Sequence, residues 1–207
     1  MNGYDVALFL HLLGVTMLFG GIALQQAAGA RLRRAATFGE VRQWLGFVRP
    51  AGRVLPIAGV VILASGLYMT SQEWTTRTPW IAVGFLTLLG MVVTGATVLR
   101  AGYARLGRAV GGLDGDLTAP VRRLATSPGL WAALTSINGA AIGVLWLMSN
   151  KPRWPASLGV AVGSAVLGAA IGAAMARRSS RPGRRSSSVP DRRDDRAVRR
   201  YGKTSTR

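Results

Sequence analysis

The chain has 207 residues, 26 Lys+Arg against 8 Asp+Glu, no cysteine and 49% apolar residues. Only 16% of the residues are charged, yet the formal net charge is +18. Soluble domains run near about a quarter charged, and here five stretches, 6–28, 54–70, 80–99, 130–148 and 156–176, hold 100 residues without one Asp, Glu, Lys or Arg, which excludes a soluble enzyme, a disulfide scaffold and a cysteine metal site.

Crossing roughly 30 Å of hydrocarbon takes about 20 apolar residues in a helix. The five stretches run from 17 to 23 residues. Inside lipid each backbone amide must be satisfied within its own segment, and the alternation of a membrane β-barrel is missing. The predicted fold is all-α: a polytopic bundle of five transmembrane helices within residues 1–176, and a basic tail over 177–207.

The first span, 6–28, is followed by Ala28-Gly29-Ala30, which resembles a signal-peptide cleavage site. The preceding segment carries Asp5 instead of Lys or Arg, the apolar run is long, and Arg31 follows at once, so the span reads as retained. Thr37-x-x-Glu40 has capping-box spacing and opens a helix over 38–49. Phe38, Val41, Trp44, Leu45 and Val48 share one face of it, which suits a helix lying on the inner membrane surface, ended by Pro50. A partner-binding helix is the other reading. The second span, 54–70, has Pro56 in its first turn, where the missing N–H costs little. After the third span, 80–99, Gly111 to Asp116 is turn-rich and too poor in oxygen ligands for a calcium loop, so it reads as a linker.

The fourth span, 130–148, carries Gly139-x-x-x-Gly143, and the fifth, 156–176, carries Gly159-x-x-x-Gly163 and Gly168-x-x-x-Gly172. Small residues let membrane helices approach closely. They serve either packing within the bundle or a homo-oligomer or partner contact through the fifth helix. The tail holds twelve basic residues and serine runs, a composition that predicts disorder and contact with anionic lipid headgroups. Nucleic acid is disfavoured, because Tyr201 is its only aromatic residue.

Basic residues set the orientation. The first loop, the third connection and the tail together hold 23 Lys+Arg; the opposite side has only Arg77, Lys151 and Arg153. The N-terminus is predicted outside and the C-terminus inside. Tyr4, Trp74, Trp80 and Trp154 fall at the outer ends, where amphipathic rings favour the interface.

The chain's one histidine, His11, falls inside the first span, and an ionisable group there is a functional candidate by default. Counting helical rise puts it roughly 10 Å below the outer boundary. Ser65, Thr87 and Ser164 lie near that level, with Asn138 about a turn deeper, so a polar pocket is predicted from these residues. Tyr4, Leu18 and Gln25 share the face of His11 at heptad spacing. His11 suits an axial haem ligand, a metal ligand, a proton carrier, or a neutral imidazole bonded to a Ser, Thr or carbonyl. For a His/Met pair, Met69 and Met148 sit nearer the outer boundary and Met17 is on the same helix. A copper site has the same difficulty.

Leu10-His11-Leu12-Leu13-Gly14 with Gly20-Gly21 and a following basic loop resembles the first helix of a family of uncharacterised bacterial integral membrane proteins. Leu147-Met148-Ser149-Asn150-Lys151-Pro152 resembles that family's closing signature, and the likeness covers roughly residues 4 to 152. The first-helix histidine is more distantly similar to that of membrane-embedded haem-linked protoporphyrinogen oxidases and copper-resistance D-type proteins. This resemblance implies a multi-pass protein of the bacterial plasma membrane and, in its distant part, haem b with His11 as axial ligand. The oxidases pair that histidine with a third-helix lysine; the third span here ends at Arg100. The expected function is a non-enzymatic structural or accessory subunit. The alternatives are a haem-binding redox protein and a small transporter or channel element.

Overall fold

The computed structural model describes residues 2–75 and 77–179, and among them every long element is helical. Five helical runs, Gly3–Leu32, Phe38–Glu73, Pro79–Ala109, Ala119–Asn150 and Trp154–Arg178, are long and apolar enough to cross a membrane. Their outward faces are apolar: Phe9, Val60, Leu86 and Leu167 are each more than 60% exposed. Water would not tolerate so much contiguous apolar surface, whereas lipid requires it. The chain is a five-helix, all-α multi-pass membrane protein. The tail predicted over 177–207 lies, from residue 180 on, outside the described residues.

Helix α1 (Gly3–Leu32) starts in a reciprocal cap. The Asn2 side chain accepts from the Asp5 amide at 2.9 Å, and the Asp5 carboxylate accepts from the Asn2 amide at 3.2 Å. Helix α2 (Phe38–Glu73) begins at the expected Thr37, whose hydroxyl accepts from the Glu40 amide at 3.2 Å. The Glu40 carboxylate turns to the Ala36 amide instead of closing back on Thr37.

Pro50 does not end that helix. The expected surface helix over 38–49 and the span over 54–70 form one 36-residue helix that contains both Pro50 and Pro56. Each proline forfeits one hydrogen bond, to the carbonyl four residues back, and those positions are Gly46 and Gly52. The remaining ladder continues through both. Nor does the apolar face lie on the membrane: Phe38, Val41 and Val48 are buried with Leu106, Val110, Leu117 and Val121. The protein itself covers this face.

The third run is α3 (Pro79–Thr94), a π-helical segment over Gly95–Leu99, and α4 (Arg100–Ala109). The following segment is more than a linker. Phe38 N–H donates to the Gly115 carbonyl at 3.1 Å and Leu117 N–H to the Ala36 carbonyl at 2.7 Å. Arg42 pairs with Asp114 at 2.6 Å and donates to the carbonyls of Leu113 and Val110. Gly112 and Gly115 supply the positive φ angles (70° and 91°) that let the segment fold back onto α2. Helix α5 (Ala119–Ala125) then leads into α6 (Pro128–Asn150) and α7 (Trp154–Ser179).

Packing is uneven. α1 lies along α2, α6 lies along α7, and α3 rests on α6 and α7, while α1 meets α6 and α2 meets α3 only sparsely. The expected glycines divide accordingly. A Cβ on Gly139, Gly168 or Gly172 would strike the carbonyls of Ser164, Thr135 or Trp131, and one on Gly143 would strike the Ser164 side chain. These four are the α6–α7 seam. Gly159 and Gly163 have nothing within 4 Å of the same position. Toward the arginine-rich end the sparse boundary is crossed by Trp131, whose ring a Cβ on Gly29 would strike, and by Gln26, which donates to the Leu134 carbonyl at 3.3 Å.

Candidate functional site

At the arginine-poor end, the boundary between α1–α2 and α3–α6 opens into a cavity of about 360 Å³. The heptad stripe of α1 brings Tyr4, His11 and Leu18 to its wall, and α2 contributes Gly66 and Met69. Trp74 and Trp80, set edge to face at 5.4 Å, line its outer end. Lys151, in the left-handed conformation that ends α6, lays its ammonium 5.0 Å from the Trp74 ring and 5.8 Å from the Trp80 ring. The positive charge is thus held over two π-faces at the entrance.

His11 is half-buried, and its Nδ1 lies 3.3 Å from the Ser65 hydroxyl. Ser65 gives its own proton to the Val61 carbonyl at 2.5 Å. The same hydroxyl lies 3.3 Å from the Ile62 carbonyl, so His11 is tied to the turn of α2 around Ser65. Gly66 leaves room for the ring, because a Cβ there would come within 3.3 Å of His11 Cε1.

The expected polar pocket is only partly assembled. Of its members, His11 and Ser65 meet. Thr87 donates to its own helix at the Val83 carbonyl, 2.7 Å away, and lines neither large cavity. Ser164 lies in the α6–α7 seam and donates to the Ala161 carbonyl at 3.2 Å. Asn138 is partly buried on α6 and also lines neither cavity. Helical rise gives depth but not rotation, and a Ser or Thr in lipid satisfies itself on the preceding turn. Gln25, one heptad beyond Leu18, is buried and faces a second cavity.

Sequence reasoning set the methionines aside, yet Met69, Met91 and Met148 all line the cavity with His11. The thioether chains are long and unbranched, and Met148 reaches far enough for its methyl to lie 2.7 Å from where a Gly84 Cβ would stand. One imidazole and three thioether side chains thus line a largely apolar space. No carboxylate lines the cavity, and among the described residues no cluster of three His, Asp or Glu side chains occurs anywhere. Such a set can hold a soft or porphyrin-bound metal, or accept one hydrogen bond.

The second cavity, about 950 Å³, opens at the arginine-rich end and carries Arg49, Arg53, Arg100 and Arg108 on its walls. The two cavities share Leu18, Leu88 and Met91 as a common floor. Comparison with family models, with curated proteins and with solved structures finds no match to this chain.

Proposed function

We propose that this chain is a non-enzymatic accessory protein of a bacterial inner membrane, N-terminus outside, that holds a lipophilic ligand against His11, haem b being the ligand its donors suit. One observation carries the reading: the half-buried His11, its Nδ1 3.3 Å from the Ser65 hydroxyl, lines an apolar cavity that three methionines also line. That is the donor set of an axial His or His/Met haem site. Lys151 at the mouth suits a carboxylate of the ligand. The distant similarity of the first-helix histidine, His11, to that of haem-linked membrane oxidases is consistent with this reading. At about 360 Å³ the space is at the small end of ligand pockets, so a macrocycle would need the α1–α2 pair to part from α3 and α6 along their sparse boundary.

The test is an oxidised and dithionite-reduced absorption spectrum of the detergent-purified protein, expressed with haem precursor, beside His11→Ala. A Soret band and a reduced α-band that disappear in the variant support the proposal. A colourless parent from a haem-replete culture ends the haem reading.

A second reading, a subunit that self-associates through α7, is favoured by one specific feature. Gly159 and Gly163 are unpacked and flanked by the exposed Leu158, Val162 and Val166. Crosslinking in native membranes that yields only monomer would count heavily against it.

A further inference from the structure

The cavity at the arginine-rich end lies between α2 and the α3–α4 run. Arg49 and Arg53 stand one turn apart on α2, and Arg100 and Arg108 face them from α4. No acidic residue lines the space. Among the described residues the one ion pair joins Arg42 to Asp114, neither of which lines it. Four like charges around one opening repel one another until an anion enters.

The interior is of the opposite character. Beyond the arginines, Leu55, Val92, Leu88 and Met91 lead toward the middle of the bundle. Two helix irregularities make the room. Pro56 deprives the Gly52 carbonyl of its helical donor, and the π-helical turn at Gly95 lies across the same cavity. A charged mouth and an apolar interior match two regions of an anionic phospholipid, its phosphodiester and its acyl chain.

We propose that this cavity binds one anionic phospholipid. Its phosphodiester sits among Arg49, Arg53, Arg100 and Arg108, and an acyl chain follows Leu55 and Val92. Basic pockets between membrane helices on the cytoplasmic side are built for such headgroups, and the arginine-rich end is the cytoplasmic one by the positive-inside rule. The site is independent of the His11 cavity, so the spectrum above and the following test can fail separately.

The test takes the full chain, purified and delipidated in detergent, and offers it phosphatidylglycerol, cardiolipin or phosphatidylcholine in equal amounts, with bound lipid read by native mass spectrometry. The parent is expected to hold one anionic lipid with about tenfold preference over phosphatidylcholine, a figure reduced from the sum of four charges because these guanidinium groups are exposed. R49Q/R53Q/R100Q/R108Q is expected to lose the preference. R105Q/R122Q/R123Q/R177Q removes four charges from the same end but none from the cavity, and is expected to keep it. Gly52→Leu keeps every charge and fills the cavity, where no atom lies within 4 Å of the added Cβ, and is expected to lower lipid retention at least severalfold. Should the fourfold cavity variant not fold, by circular dichroism, Arg53→Gln and Gly52→Leu carry the same comparison. Parent-like binding by the cavity variants overturns the proposal. So does equal loss in both fourfold variants, which would mean diffuse attraction, or displacement of the lipid by inorganic phosphate alone.

Discussion

The Ser65 hydroxyl, bonded to the Val61 carbonyl at 2.5 Å, lies 3.3 Å from His11 Nδ1 and helps to hold the ring's rotation. Partners of this kind behind a ligating histidine typically change ligand affinity by about 10–100-fold. Ser65→Ala is expected to lower haem affinity in that range, read by haem titration of the purified protein, with a stability change of only about 1 kcal/mol. Unchanged affinity would detach Ser65 from the site. His11 was legible in the sequence because a histidine inside an apolar span is conspicuous. Its methionine neighbours were not, because nothing in a sequence states the rotation of α2, α3 and α6 about their own axes.

Two helix-level departures share one cause, the strength of the hydrogen-bonded ladder once a chain segment is held by neighbours. In α2 the loss of two bonds at Pro50 and Pro56 is outweighed by burial of Phe38, Val41 and Val48 against α4 and the docked segment ending at Leu117. Pro50→Ala, which restores the bond to the Gly46 carbonyl, is expected to raise stability by about 1–3 kcal/mol in a denaturant titration. In hydrogen exchange, the amides of Ala51 and Gly52 should be as slow as those of Val41; rapid exchange there would mean a broken helix. The α6–α7 seam offers a second contrast. Gly168→Leu drives a side chain into the Thr135 carbonyl and should cost about 1–3 kcal/mol of bundle stability. Gly163→Leu meets open space, should leave the monomer intact, and should reduce crosslinked oligomer if α7 is a contact face.

At the scale of the molecule, two tightly packed pairs, α1–α2 and α6–α7, meet along a sparse boundary, and both cavities lie on it. The Leu18, Leu88 and Met91 floor between them leaves one opening at each end of the bundle. The ends differ in charge as the positive-inside rule demands. Because the chain has no cysteine, single cysteines report its orientation without background. In intact cells a membrane-impermeant maleimide should label Gln72→Cys, at the arginine-poor end, and should reach Leu113→Cys only after permeabilisation. The reverse pattern would invert the proposed topology and move the lipid site to the other leaflet.

The number of spans and the all-α architecture followed from the sequence alone, because both rest on one-dimensional properties: a run of about 20 apolar residues and the need to satisfy backbone amides inside lipid. The asymmetry of charge between the ends was equally plain. What a residue touches was a different matter. Thr87 and Ser164 have the depth of His11 or nearly so, yet they turn to their own helix or to the α6–α7 seam, and Asn138 lines neither cavity, while Met69, Met91 and Met148 line the same cavity as His11. Arg49 and Arg53 meet Arg100 and Arg108 only because α2 runs on through Pro50 and because α3 continues as α4 through a π-helical turn. Those are decisions of tertiary packing, where burial of one face outweighs a local break, and depth along a helix cannot disclose its rotation.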